Sequence, residues 1–531
     1  QPSNVSDTKS AESISTIDND SKYKISDTIT ANEDQSRAID KMISFVNSKD
    51  PKDKFFLLEG SAGTGKTTLM KYMIDYIKKN QSNNNIGGYT IAHKAKKILQ
   101  LSFGKKGIAS TIAAGLVIDI DETTGKFKIN QYKRDKLGIP MEHHDFIIID
   151  ESSMINDDLY KEILNHTGNA KVFILGDIAQ LPPIGSEGDS RFLTEKSIYN
   201  DKNYHTLSIV MRQNKTNPIL QVANDVASRA RVQTNDSTHI KKELRETNIT
   251  QHGFVKMIQL NSFVENYKPL IEQAIKDGNP DFVKIVTFNN NEHPSQLSVG
   301  NISMAVRRQL YGDNADEYMV GVFLVANNTY SKGEEPIFYN SDDLVVKNVK
   351  PKRTKSFSLS VFSKAKGDRS KRFTYEVQPL SVIVNDKTIE IEVIASSSLQ
   401  QFKDDLNQLW REDSQLAFAL KNYFPDVQYG YAITSHKAQG STYNNVFVME
   451  DNIYGMSNGG SLQSKHRSFY VAVSRPTDGL YIVSESNGES DAVEPSIPVS
   501  NESISTIEDY LINNPSILGD NGIVSMTEFA R

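Results

Sequence analysis

The chain contains no cysteine in 531 residues, which excludes disulfides and thiolate metal sites and agrees with a reducing compartment. Tryptophan is almost absent, with Trp410 alone. No apolar run approaches the roughly 20 residues that a bilayer-spanning helix needs, so a helical membrane protein is excluded. Excess positive charge is missing too: 60 Lys and Arg face 66 Asp and Glu, a net charge of −6. Any nucleic-acid contact must therefore come from a local groove, and a histone-like electrostatic binder is excluded. The first residues carry no secretory pattern. What is present, 38% hydrophobic and 24% charged residues, fits a soluble globular protein, and the length exceeds what one hydrophobic core supports.

Large apolar side chains are also scarce at both ends. Residues 1–28 are rich in Ser, Asp, Thr and Asn, and residues 485–531 form an acidic tail with a short amphipathic helix expected around Ile507, Tyr510, Leu511 and Ile517; neither composition packs a core. Glu12-Ser13-Ile14-Ser15-Thr16-Ile17-Asp18 nearly repeats as Glu502-Ser503-Ile504-Ser505-Thr506-Ile507-Glu508, which two Ser-rich segments produce by composition or a peptide used twice produces by design.

Between the tails, Gly60-Ser61-Ala62-Gly63-Thr64-Gly65-Lys66-Thr67 matches G-x-x-x-x-G-K-[ST] at every fixed position. Phe55 to Leu58 has strand character and Leu69 to Ile77 helical spacing, so the glycines sit on a strand-to-helix turn. Gly60, Gly63 and Gly65 let amides face phosphates together with Thr64 and Thr68, Lys66 adds a point charge, and the Thr67 hydroxyl is a magnesium ligand. Downstream, the buried-strand pattern Phe146 to Ile149 ends in Asp150-Glu151. Asp150 is expected to hold magnesium and Glu151 to orient or deprotonate the attacking water. A further strand, Val172 to Leu175, leads to Gly176-Asp177-Ile178-Ala179-Gln180-Leu181-Pro182-Pro183, where Gln180 can sense the terminal phosphate.

With these motifs in order, the chain resembles the type B superfamily 1 (RecD/Dda-like) helicases from about residue 28 to 484. Asn32 and Gln35 resemble the adenine-reading Q motif, Thr90 to Lys97 motif Ia, and Ser110-Thr111-Ile112 motif Ib. Val210-Met211-Arg212-Gln213 resembles motif IV, Thr434 to Thr442 motif V, and Tyr470 to Arg475 motif VI. The resemblance implies an α/β fold of two RecA-like P-loop domains, ATP and Mg2+ as cofactors, and 5′-to-3′ movement on single-stranded DNA. It implies cross-cleft arginines at Arg212 and Arg475 and a nucleotide contact at Gly440. It also implies a strand channel touched by His93, Lys94, Ser110, Thr111, Pro182, Asn289, Thr434, Ser435, His436 and Lys437; Lys94 and Lys437 have an equal alternative as solvated helix-terminal charges.

Val117 to Ile120 and Lys126 to Ile129 flank a polar turn and read as a hairpin in the family's pin position. Phe127 there can stack on a base at the fork, worth about 1–3 kcal/mol, or pack beneath the hairpin. Alternating runs at Tyr375 to Val384 and Thr388 to Ile394 suggest a small antiparallel barrel, and Leu399 to Leu420 has helical spacing; the family places an SH3-like barrel with a helical extension here. Ten basic residues face Asp368 alone between Lys347 and Arg372, a solvated basic loop or a contact for duplex DNA or an acidic tail.

The expected domains are a 1–28 tail, RecA-like domain 1A at 29–116 and 141–204, a pin domain at 117–140, RecA-like domain 2A at 205–335 and 426–484, the insertion at 336–425, and a 485–531 tail. Motif Ib continues as Ala113-Ala114-Gly115 without the His-Ser often found there, so fewer strand contacts are expected. The expectation is an ATP-dependent DNA helicase acting as a monomer at forks in replication, recombination or repair. Single-strand-binding or replisome proteins are its expected partners, and the cytoplasm of a bacterial or phage-infected cell its location. A translocase-only or RNA-directed motor and a nucleotide-switched binding protein are the alternatives.

Overall fold

The structure, a computed structural model, describes residues 23–26, 29–103, 108–120, 127–186, 188–208, 217–290, 297–312, 315–333, 335–363, 367–455 and 461–484. Both tails, the Glu-Ser-Ile-Ser-Thr-Ile repeats, the pin turn at 121–126 and motif IV with Arg212 lie outside the described residues.

Two parallel sheets organise the chain, as the resemblance implies. The first runs Ile108–Thr111, Ile86–Thr90, Phe146–Ile149, Lys171–Gly176, Phe55–Gly60, Tyr204–Leu207, all parallel. Its strands are apolar on both faces: Phe56, Leu58, Ile148 and Phe173 pack into one cluster, and Phe55, Leu57, Ile147 and Ile174 into another. Helices Glu33–Asn47 and Lys66–Asn80 cover the first face and Asp157–His166 the second. A sheet buried on both sides has no polar face to alternate with, hence the continuous Phe146-Ile147-Ile148-Ile149 run.

The second sheet runs Ala432–Thr434, Val283–Thr287, Tyr443–Met449, Pro476–Ser484, Gly253–Gln259, with Asn248–Thr250 antiparallel at its edge. Helices Phe263–Asp277 and Val299–Tyr311 pack on one face, and Pro218–Ala230 and Leu462–Val473 on the other. Parallel sheets bind ligands beyond the carboxyl ends of their strands, and both nucleotide motifs of the first core leave strands at that end.

The insertion is an antiparallel sheet in the order Arg353–Ser363, Gly367–Val384, Asp343–Val349, Phe323–Ala326, Val427–Tyr429, with Lys387–Ile394 also paired to Gly367–Val384. Phe323–Ala326 and Val427–Tyr429, its first and last strands along the chain, lie outside the 336–425 segment assigned from sequence. Phe323, Leu324, Leu344 and Val382 share one cluster with Ile285 and Phe447 of the second core, so hydrophobic continuity pulls the boundary outward. The basic run Lys347 to Arg372 is largely strand rather than loop. The helical stretch is two helices, Ser396–Glu412 and Ser414–Lys421. Asp413 separates them in an extended conformation (φ −153°), its carboxylate accepting from the Gln415 and Leu416 amides.

At the pin position, Ile118–Ile120 pairs antiparallel with Phe127–Ile129. Phe127 is half-buried and packs against the cluster holding Leu116 and Ile118, which matches the packing alternative for this ring.

Candidate nucleotide site and the cleft between the cores

The phosphate loop follows the strand Phe55–Gly60 and opens the helix Lys66–Asn80. Gly63 and Gly65 hold φ of +77° and +94°, left-handed values that a Cβ makes costly. Gly65 is also the N-cap and offers no side chain, so the first amides of a fifteen-residue helix remain free for an anion. Lys66 folds its ammonium over the loop, donating to the Gly60 carbonyl and, at 3.3 Å, to that of Ser61. Thr67 is exposed and Thr68 half-buried at the mouth of the loop.

Asn32 and Gln35 begin the helix Glu33–Asn47 as a reciprocal cap: Asn32 Oδ1 accepts from the Gln35 amide at 2.8 Å, and Gln35 Oε1 from the Asn32 amide at 3.1 Å. Gln35 Nε2 also donates to the Thr64 carbonyl at 3.0 Å, tying this helix to the loop. Asn32 Nδ2 is buried without a partner, a donor suited to an adenine ring nitrogen. With the free helix amides and Lys66, that orphaned donor fits the site to a purine triphosphate.

Across the loop, Asp150 and Glu151 leave the strand Phe146–Ile149. Burial, then the neighbouring Glu151 charge, lifts the Asp150 carboxyl to about 6, with Lys66 pulling the other way. Glu151 adopts φ 54°, a strained conformation for a side-chain-bearing residue, and donates its amide to Asp150 Oδ1 at 2.8 Å. The hydroxyl of the exposed Thr67 and the Asp150 carboxylate are the hard-oxygen donor types suited to magnesium.

The second core closes on this loop through side chains to which the sequence motifs assigned no role. Tyr470 in the helix Leu462–Val473 accepts from the Ala62 amide at 2.8 Å and donates to Asp177 Oδ2 at 2.5 Å. Burial and the Asp177 charge hold its phenol well above the ordinary range, so the O–H stays a donor. Arg231, at the end of the helix Pro218–Ala230, donates to Ser61 Oγ at 2.7 Å and lies 3.6 Å from Asp177 Oδ1. Arg467 clasps Asp189, with Nη2 to Oδ2 at 3.0 Å, and Gln439 Nε2 reaches Gln180 Oε1 at 3.4 Å. These positions owe their roles to cross-core distance, and the lone available signal was that Tyr470 and Gln439 fall inside helicase motifs.

Several expected site residues are engaged otherwise. Arg475 is buried within its own core, donating from Nε to Val471 O at 2.9 Å, Nη1 to Ser441 O at 3.3 Å and Nη2 to Ser474 Oγ at 2.8 Å. Gly440, at φ +67°, lies against the first core, where an added Cβ would stand 3.1 Å from that of Ala95. Among the strand-channel candidates, Lys94 is paired at 2.5 Å with Asp343 of the insertion, which also holds the fully buried Lys284 at 3.0 Å. The Lys94 ammonium is thus held by a carboxylate of the insertion rather than left as a solvated helix-terminal charge. His93 stacks on Tyr339 of the insertion, centroids 3.5 Å apart, and burial followed by Lys96 and Lys97 lowers its ring to about 4.

Lys437 donates to Asn327 Oδ1 at 2.8 Å, so it too is drawn onto the protein rather than left solvated. Thr111 and Thr434 cap short helices by accepting from the Ala114 and Lys437 amides, both at 3.2 Å. Ser435 is fully buried and His436 lies edge-on to Phe288 at 6.1 Å. Ser110, Pro182 and Asn289 are half-buried, the last accepting the Val299 amide through its carbonyl.

Residues 30–248 match the family described as AAA domain, and residues 429–483 the UvrD-like helicase C-terminal domain. An uncharacterised protein of Acanthamoeba polyphaga mimivirus is 23% identical over 85% of this chain and 99% of its own length. The ATP-dependent DNA helicase dda of Enterobacteria phage T4 is 23% identical over 80% of this chain and 93% of its own. The ATP-dependent DNA helicase Pif1 of a Psychrobacter species is 29% identical over 26% of this chain and 21% of its own. Among solved structures, Bacteroides Pif1 with ADP-AlF3 and single-stranded DNA superposes with TM-score 0.38 at 16% identity, covering 86% of this chain and 94% of that one. Two matched domains in order and a likeness to dda along most of both chains support a type B superfamily 1 helicase of the Dda and Pif1 kind.

Proposed function

We propose that this chain is an ATP-driven DNA helicase that moves 5′ to 3′ on a single strand and separates duplex ahead of it. The observation that carries the reading is the cleft itself. Lys66, with the Asp150–Glu151 pair beside it, belongs to the same loop that Tyr470 and Arg231 of the second core hold at Ala62 and Ser61, so whatever fills the phosphate loop alters how the two cores meet. In this reading Glu151 takes the proton of the attacking water, while Lys66 and the loop amides hold the phosphates. Magnesium held by Thr67 and Asp150 would neutralise charge on the terminal phosphates. Arg212 and Arg475 belong to this reading as cross-cleft cations, Arg475 after release from its bonds to Val471, Ser441 and Ser474. Gln180, bridged to Gln439, relays the state of the cleft toward motif V.

Alternating closure and opening of the cores then moves a strand along Ser110, Thr111, Pro182, Asn289, Thr434, Ser435 and His436, with the hairpin around Phe127 as the wedge. Among the described residues no helix is long and apolar enough to cross a membrane. The reading extends to a monomeric motor in the cytoplasm of a bacterial or phage-infected cell, working beside single-strand-binding or replisome proteins. Its test is ATP hydrolysis with single-stranded DNA or RNA of equal length, alongside strand separation. DNA-stimulated turnover with duplex opening supports a helicase. RNA-selective stimulation, turnover without opening, or no turnover would each point to one of the other readings.

A further inference from the structure

Two cations from different cores engage the same residue of the phosphate loop. Lys66 donates to the Ser61 carbonyl at 3.3 Å, and Arg231 donates to the Ser61 hydroxyl at 2.7 Å. Arg231 is the C-cap of the helix Pro218–Ala230, its backbone amide bound to the Ala227 carbonyl, so the side chain leaves a rigid, packed element. Its Nε is buried without a hydrogen-bond partner, which leaves one tooth of the guanidinium fork unused at the mouth of the loop. Asp177 stands 3.6 Å away and is itself held by the Tyr470 phenol at 2.5 Å and the Ala179 amide at 3.0 Å. Arg475, by contrast, spends its guanidinium on three groups of its own core.

We infer that Arg231 is a catalytic cross-core arginine that binds the γ-phosphoryl of ATP during hydrolysis, with Asp177 and Tyr470 as the positioning residues that aim it. The inference rests on the ATPase reading above. In that reaction the water oxygen bonds to the γ-phosphorus, the bond from the γ-phosphorus to the bridging oxygen breaks with its electron pair leaving on ADP, and the water proton passes to Glu151. Arg231 exchanges no atom; it stabilises negative charge spread over the γ-oxygens, which a planar fork does better than an ammonium. Because Tyr470 also holds the Ala62 amide, a phosphate entering beside Ala62 is felt in both the loop and the residues that aim Arg231.

The test compares the full chain with Arg231→Ala, Arg231→Lys and Tyr470→Phe at saturating single-stranded DNA, with ATP varied, binding of a fluorescent ATP analogue measured, and thermal melting as control. The expected result for Arg231→Ala is kcat lower by about 10³-fold or more with analogue affinity and melting near wild type. Tyr470→Phe should lose a smaller part of kcat with KM unchanged. Arg231→Lys keeps the charge and the stem and serves if Arg231→Ala melts early; it too should lose kcat because the fork is gone. Wild-type kcat in a folded Arg231→Ala or Arg231→Lys chain overturns the inference alone. A wild-type chain without ATPase overturns the reading beneath it, and the inference with it.

Discussion

Glu151 is held at φ 54° with its amide on the neighbouring Asp150, a conformation that costs about 1–3 kcal/mol. Replacing it with Gln preserves shape and removes the base. Glu151→Gln should therefore abolish turnover while leaving binding of a fluorescent ATP analogue intact, and retained turnover would refute its assignment. Gly65→Ala tests the loop geometry instead: a Cβ at φ +94° costs about 1–2 kcal/mol, so affinity for the analogue should fall along with thermal stability. These residues were legible because phosphate binding demands glycine, lysine and threonine at fixed spacing on one short turn. Arg231 was not legible, since nothing local marks it; its meaning lies in a 2.7 Å contact with Ser61, 170 positions away in the chain. Lys94 shows the reverse case, a motif position whose charge is drawn into a buried pair that its own neighbourhood could not announce.

Among the elements, the parallel strands were readable from unbroken apolar runs, whereas the break between Ser396–Glu412 and Ser414–Lys421 was not. Leu406, Leu409, Leu416 and Leu420 keep a helical apolar rhythm into one cluster across Asp413, and the break shows only in the cap geometry. Asp413→Ala removes that cap and the Arg369 pair. It should cost about 1–2 kcal/mol, read as lost amide-exchange protection confined to Ser414–Lys421. At the end of the strand Tyr443–Met449, the buried Glu450 binds Arg245 at 2.5 Å and His239 at 2.9 Å. These partners hold its carboxyl below the ordinary range against the opposing effect of burial. A depressed folded-state pKa means that the unfolded chain takes up protons first. The stabilisation is thus present above roughly pH 4.3 and fades as pH falls through the lower folded value. Glu450→Gln should melt below wild type from pH 7 down to about pH 4.3, with the gap narrowing only as pH falls further; a gap that does not narrow below that pH would contradict this.

For the whole molecule, the first core, the insertion and the second core meet at Lys94, Asp343 and Lys284, with the His93–Tyr339 stack beside them. Removing the shared carboxylate leaves two ammonium groups facing each other in a buried site, typically a loss of about 3–5 kcal/mol. Asp343→Asn should therefore raise amide exchange in His93–Phe103 and Asp343–Val349 together, and exchange confined to one of them would contradict the junction. The outer limits of the insertion escaped the sequence for a related reason: Phe323–Ala326 and Val427–Tyr429 are buried strands like those of the second core, and pairing alone assigns them to another sheet. The central claim concerns the molecule as a motor, and its most direct test is strand separation of matched duplexes bearing a 5′ or a 3′ single-stranded tail, with ATP or a non-hydrolysable analogue. The account predicts opening of the 5′-tailed duplex alone and only with ATP; opening of the 3′-tailed duplex instead, or opening with the analogue, would contradict it.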